Sequence, residues 1–236
     1  MKLGRLTSGF TAILLAFPGL VLAEKAQERL QDATTVLEEV MATPEKGIPQ
    51  DLLDKAHCVV IVPGVKKLAL GIGGKYGRGF TICRGASDRG WGAPAAVRME
   101  GGSIGWQIGG SESDIVLLVM NESGMKKLLE SKFTLDADAT AAAGPVGRTA
   151  QASTDAKMTA EILSYSRARG LFAGIAIGGA TLRQDLDENK ELYGEPLTNK
   201  VILTGGVKPP AAAEKLRADL TKYSRVEEGQ RARQKP

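Results

Sequence analysis

The stretch that most suggests chemistry is LALGIGGKYGRGF, residues 68–80, where five glycines surround Lys75 and Arg78. Glycines around a lysine can cradle a phosphate, because bare backbone N–H groups come close and the ammonium supplies charge. The phosphate-loop template needs Gly-x-x-x-x-Gly-Lys-Ser/Thr. Here Ala69 stands at the first glycine and Tyr76 at the hydroxyl. The dinucleotide template Gly-x-Gly-x-x-Gly, started from Gly71 and Gly73, ends on Tyr76. What fits is alternation. Leu68, Leu70, Ile72, Tyr76, Phe80 and Ile82 occupy even positions and glycine much of the odd set, the period of a strand with room for a bulge or a close backbone approach. No nucleotide is expected.

Three other constellations invite the same scrutiny. GGSIG at 101–105 satisfies Gly-x-Ser-x-Gly around Ser103, but no helical pattern follows and the single histidine, His57, lies upstream. Asp185, Asp187 and Asn189 match the first three ligand positions of a calcium loop, while Lys190 and Pro196 replace its glycine and its glutamate. A cation site there, with calcium the ion considered, is the alternative to a helix start with acids suited to its dipole. Cys58 and Cys83 match no metal spacing; the residues alone leave both a disulfide and two buried thiols open. With no carboxylate pair or Cys–His pair left to build an active site, the chain reads as a binding protein and not an enzyme.

The elements that would position these residues begin after a leader. Met1 to Ala23 carries Lys2 and Arg5, an apolar core and a Val-Leu-Ala end, the pattern of a secretory signal peptide cleaved near Ala23. A retained membrane anchor is the alternative, and the apolar core is short for it. The formal net charge of +4 lies largely in residues 207–236, with eight Lys/Arg against four Asp/Glu, so a nucleic-acid partner is not expected. Residues 25–42 set Ala26, Leu30, Ala33, Leu37 and Val40/Met41 on one helical face. Short helices are expected at IPQDLLDKAH, ESGMKKLLES and DENKELYG, and a longer one at PAAAEKLRADLTKY. Strands are expected at CVVIVP, ended by Pro63 and Gly64, then near 68–74, 76–84, 91–99, 103–109 and 113–120, and at AEILSYSRA and LFAGIAIGGATL. Residues 132–150 are ambiguous. The fold class is α+β: an antiparallel sheet or partial β-barrel with helices packed at the N- and C-terminal ends.

VVIVPGVKKLALGIGGKYGRG, WGAPAAV, SIGWQIGGSESDIVLLVMN, AAAGPVGR, SYSRARGLFAG, NKELYG and ILTGG…PPAAAEKL occur in that order. Together they resemble the SYLF domain of eukaryotic lipid- and actin-regulating proteins and bacterial envelope proteins. The resemblance covers about residues 30–222. It implies one domain over 24–222, followed by a charged tail at 223–236. It also implies binding of phosphoinositides or other membrane lipids, attributed in eukaryotic members to a basic amphipathic N-terminal helix. The matching segment here departs from that pattern, setting Lys25 and Arg29 against Glu24, Glu28, Asp32, Glu38 and Glu39. The cations that remain are Lys66, Lys67, Lys75, Arg78 and Arg84, with no acid between residues 55 and 87. They are the expected contacts to anionic phospholipid headgroups, although a solvated strand face that blunts a sheet edge would use the same residues. With the leader, the expectation is a non-catalytic lipid-binding protein of the bacterial cell envelope, periplasmic or secreted, where actin would not be met. An envelope interaction protein with a protein or polymer partner, and a cation-dependent module, are the alternatives.

Overall fold

A computed structural model describes residues 18–42, 46–85, 90–147 and 160–224. The expected leader up to residue 17 and the tail from 225 lie outside them. Helix α1 (Pro18–Met41) is followed by α2 (Gln50–Lys55) and two very long strands, β1 (Cys58–Cys83) and β2 (Ala95–Val119). Then come α3 (Glu122–Leu128), β3 (Lys132–Thr134), β4 (Ala141–Ala143), β5 (Ile162–Ala168), β6 (Leu171–Gly174) and β7 (Thr181–Gln184). The described chain ends in α4 (Leu186–Tyr193), α5 (Asn199–Thr204), a 3₁₀ turn (Ala211–Ala213) and α6 (Glu214–Tyr223). Among the described residues no helix is long and apolar enough to cross a membrane.

The sheet is a curled, largely antiparallel half-barrel with helices at both chain ends, as the patterning leads one to expect. β2 is its spine. One edge pairs with β1 from Cys58↔Val119 to Thr81↔Ala95; the other pairs with β7 near the start of β2 and with β5 near its end. The five short strands expected between residues 68 and 120 are therefore two continuous ones. Pro63 and Gly64 do not end β1 but form an irregularity in its register between Val62 and Val65, with Gly64 at φ +55°. Proline lacks a ladder donor and glycine accepts the left-handed backbone, so the pair bends the strand without stopping it. The expected strand 171–182 is likewise two, β6 and β7, around the turn of Gly178 and Gly179. The β5–β6 hairpin turns on Arg169 (φ +51°) and Gly170 (φ +77°), both left-handed as a two-residue hairpin requires.

The curl brings the two ends of β1 together. Cys58 and Cys83, 25 residues apart, form a disulfide, with Cα atoms 4.0 Å apart. The late half of β1 lies directly on the early half: a Cβ on Gly77 would stand 2.8 Å from Val62 and Val65, and one on Gly79 would overlap the Ile61 carbonyl. This is the close approach that the glycine alternation foreshadowed. Among the described residues two large apolar cores result, beside a small cluster of Ala93, Ala95 and Ile202. One holds Leu30, Ala33 and Leu37 of α1 and Leu216 and Leu220 of α6 against Ile61, Phe80 and Tyr165. The other fills the inside of the curl with Val60, Val97, Met99, Leu117, Phe133 and Leu182 around the disulfide.

Candidate functional site

The five cations expected to act together are divided by the fold. Lys66 and Lys67 are exposed on β1 where it passes beyond β5, opposite Glu112 and Ser111 of β2. Beside them Leu68 is two-thirds exposed, and Tyr76 is about half exposed. Lys75 is half-buried; burial, and then neighbouring Lys67, hold its ammonium below the usual lysine range. In this part of the hairpin, the farthest along the strands from the disulfide, Lys66, Leu68 and Tyr76 alternate onto one face of β1 and Lys67 and Lys75 onto the other, close enough for Lys75 to feel Lys67.

Arg78 and Arg84 are both partly buried and engaged by the protein's own groups. Arg84 Nε and Nη2 donate to the carbonyls of Ala56, Leu53 and Asp54, completing the C-terminal end of α2, and its guanidinium lies 4.5 Å from the Trp91 ring centre. Arg78 Nε donates to the Tyr76 hydroxyl at 3.0 Å and lies 3.0 Å from Asp185 Oδ2. Asp185 and Glu188 are fully buried. Arg98 Nε comes within 3.5 Å of Asp185 Oδ2, and Arg29 of α1 donates to Glu188. Three arginines from α1, β1 and β2 thus converge on two acids at the start of α4, and desolvation still raises the Glu188 carboxyl above its ordinary value. Such a cluster fixes how the helices sit on the sheet more surely than it stabilises them, since desolvation offsets most of the Coulomb gain.

The same cluster answers the calcium alternative. Asp185 caps α4, its Oδ1 accepting from Glu188 N at 3.3 Å. Asn189 Oδ1 accepts from Ala96 N, and its amide donates to Leu197 O and Asn199 Oδ1. Asp187 is exposed. Asp185 and Asn189 are buried and already partnered while Asp187 faces solvent, and among the described residues no group of three or more His, Cys, Asp or Glu could hold a metal ion. The acid-rich helix start is what the structure contains. His57 is at the junction of α2 and β1, where its backbone N–H donates to Val119 O; the side chain of Ser103 lies outside the described residues. Sequence reasoning missed Arg29, Arg98 and Glu188. The Asp185-x-x-Glu188 spacing was a legible capping signal, but nothing local announces the two arginines.

The family model of Ysc84, described as a Las17-binding protein actin regulator, matches residues 100–223. That range includes the acids and Arg183 but stops short of Lys66, Lys67 and Lys75. Over 175 residues, 73% of this chain, the sequence is 32% identical to LAS seventeen-binding protein 3 of Saccharomyces cerevisiae and 36% identical to SH3 domain-containing protein PJ696.02 of Schizosaccharomyces pombe. It is 29% identical over 212 residues, 89% of the chain, to SH3 domain-containing YSC84-like protein 1 of Homo sapiens. The matches span only 38%, 40% and 61% of those proteins' own lengths, respectively.

Proposed function

The chain belongs to the Ysc84 (SYLF) family, actin-regulating and Las17-binding in yeast, and on that premise we propose that it is a non-catalytic module that docks on anionic phospholipid. The observation that carries the reading is the exposed middle of β1, with Lys66 and the exposed Leu68 on one face of the strand and Lys67 with the half-buried Lys75 on the other. Lysines concentrate near a negative surface, and an exposed leucine among them adds apolar contact once the surface is reached. The family's basic amphipathic helix does not supply this here. α1 buries Ala26, Leu30, Ala33, Leu37 and Val40, and spends Arg29 on Glu188. Export after cleavage near Ala23 belongs to the same proposal, and the intact mass of protein recovered from its host checks it.

Co-sedimentation of the chain with phosphatidylglycerol vesicles, against phosphatidylcholine, tests the docking. Each lysine near the surface contributes about 1 kcal/mol, so the Lys66→Gln/Lys67→Gln/Lys75→Gln variant should lose about 3 kcal/mol, more than a hundredfold. Binding should weaken steeply with salt. No binding to anionic vesicles at low salt, or undiminished binding by the triple variant, overturns the reading. A protein partner is the second reading, favoured by the yeast relatives, one of which is a LAS seventeen-binding protein. Salt-insensitive capture of one protein, without vesicle affinity, would select it.

A further inference from the structure

A second cationic feature runs across the sheet from Arg78 and is visible only in the strand register. Arg78 of β1 pairs with Arg98 of β2, Arg98 with Arg183 of β7, and Arg183 with Lys132 of β3. Residues directly opposite in antiparallel strands point to the same face, with Cβ atoms about 5 Å apart. Four adjacent strands therefore present four cations in one row. Like charges in such pairs destabilise a sheet, so a row of four needs counter-charge.

The protein supplies most of it at one end. Asp185 and Glu188 face Arg78, and Asp185 also faces Arg98. At the other end the counter-charge is thin. Glu100, on β2 two residues from Arg98, stands 3.8 Å from Arg183 and is itself part-exposed. Among the described residues Lys132 has no ion-pair partner. Beside this end opens a cleft of about 320 Å³, lined by Arg98, Ser131, Lys132, Arg183, Gln184, Leu186 and Asp187. The lining holds three cations against one carboxylate, with the Ser131 hydroxyl and the Gln184 side chain as neutral polar partners.

We propose that this cleft binds a phosphate-bearing anion, held by Arg183 and Lys132 with Arg98 behind them. A phosphate accepts from a guanidinium by two parallel bonds and from an ammonium as a point charge, which suits this pair of side chains. The volume exceeds that of a bare phosphate and leaves room for a small attached group. The ligand class is therefore a phosphomonoester, whether a free metabolite or an exposed lipid headgroup.

The test titrates the full chain with inorganic phosphate, with glycerol 3-phosphate and with vesicles containing phosphatidic acid. Sodium chloride at matched ionic strength is the reference, and amide chemical shifts and thermal midpoint are the readouts. Saturable shifts at residues 131–132 and 183–187 with a raised midpoint are expected. The Arg183→Gln/Lys132→Gln variant should bind at least about tenfold more weakly, the loss of one charge-assisted contact or more. In phosphate-free buffer that variant should melt no lower than the parent, because the row has lost like-charge pairs. Should the double variant not fold, Lys132→Gln alone, at an exposed position, reads the same loss. Shifts with the soluble phosphates assign a free ligand, and shifts with the vesicles alone assign a headgroup. No response beyond chloride in any arm, or a response that survives both substitutions, overturns the proposal. Lys66→Gln/Lys67→Gln should leave cleft binding of the soluble phosphates intact, so failure here and failure of the vesicle docking are separable.

Discussion

Breaking the Cys58–Cys83 disulfide should cost more stability than any single contact in the molecule. The bond joins the first and last residues of one strand, closing a loop with a sequence separation of 25. In the chain-entropy picture a loop of that length removes about 3.5 kcal/mol of freedom from the unfolded state. For a chain of this size each kcal/mol moves the thermal midpoint by roughly 2–4 °C, so reduction should lower it by about 7–14 °C. Both cysteines are buried, so reduction must be driven under mild denaturant and confirmed by thiol titration before melting. The Cys58→Ala/Cys83→Ala variant should fall at least as far, since it also leaves small cavities in the inner core. Urea unfolding supplies an independent readout: the unfolded chain expands once the loop is open, so the slope m should rise on reduction. A midpoint drop under about 3 °C with both thiols titratable and m unchanged would refute the loop-entropy reasoning. The curl would then be held by β1–β2 pairing and packing alone.

Gly79→Ala should cost about 2 kcal/mol or more in thermal or urea unfolding, because the new methyl would sit 2.6 Å from Val62 Cα and against the Ile61 carbonyl, both backbone. Gly85→Ala, with nothing within 4 Å, should stay within about 0.5 kcal/mol of the parent in the same assay. Arg84→Ala should destabilise by about 2–3 kcal/mol, through three unmet carbonyls and the lost Trp91 contact, yet leave vesicle affinity unchanged; a selective loss of vesicle binding would return Arg84 to the surface role. Glu188 is an acid held above its unfolded value, so the folded state binds its proton more tightly and stability falls as pH rises through the window upward from about 4.5. Glu188→Gln cannot titrate. Parent minus variant stability, from urea curves at pH 5 and pH 7, should therefore be smaller at pH 7, and the opposite order would show the arginines outweighing desolvation.

The identity of the elements was legible wherever the signal is local. The face of α1, the capping acids of α4, the Arg169-Gly170 turn and the α+β class follow from periodicity, from side chains that reach their own backbone and from residues that tolerate a left-handed turn. Glycine at alternate positions of LALGIGGKYGRGF also marked a strand approached closely by backbone, and excluded a nucleotide loop at named residues. Strand continuity was not legible. Pro63-Gly64 reads as a terminator, and only pairing with β2 on the far side of the bulge shows that the strand goes on. Nor was the company of the cations: Arg78 and Lys75 are three residues apart, yet one is spent on acids more than a hundred residues away and the other stands beside Lys67. The row Arg78–Arg98–Arg183–Lys132 has no sequence signature, because register between distant strands is set by how two cores close. Sequence by itself determined the type of the strongly patterned segments, but not β3, β4 or α5, whose short stretches carry no such pattern. The curl of β1 onto its own beginning decided which segments meet, since burying both faces of one bent hairpin brings residues 58 and 83 together, and leaves Lys66 and Lys67 exposed while the protein's own acids and carbonyls engage Arg78 and Arg84.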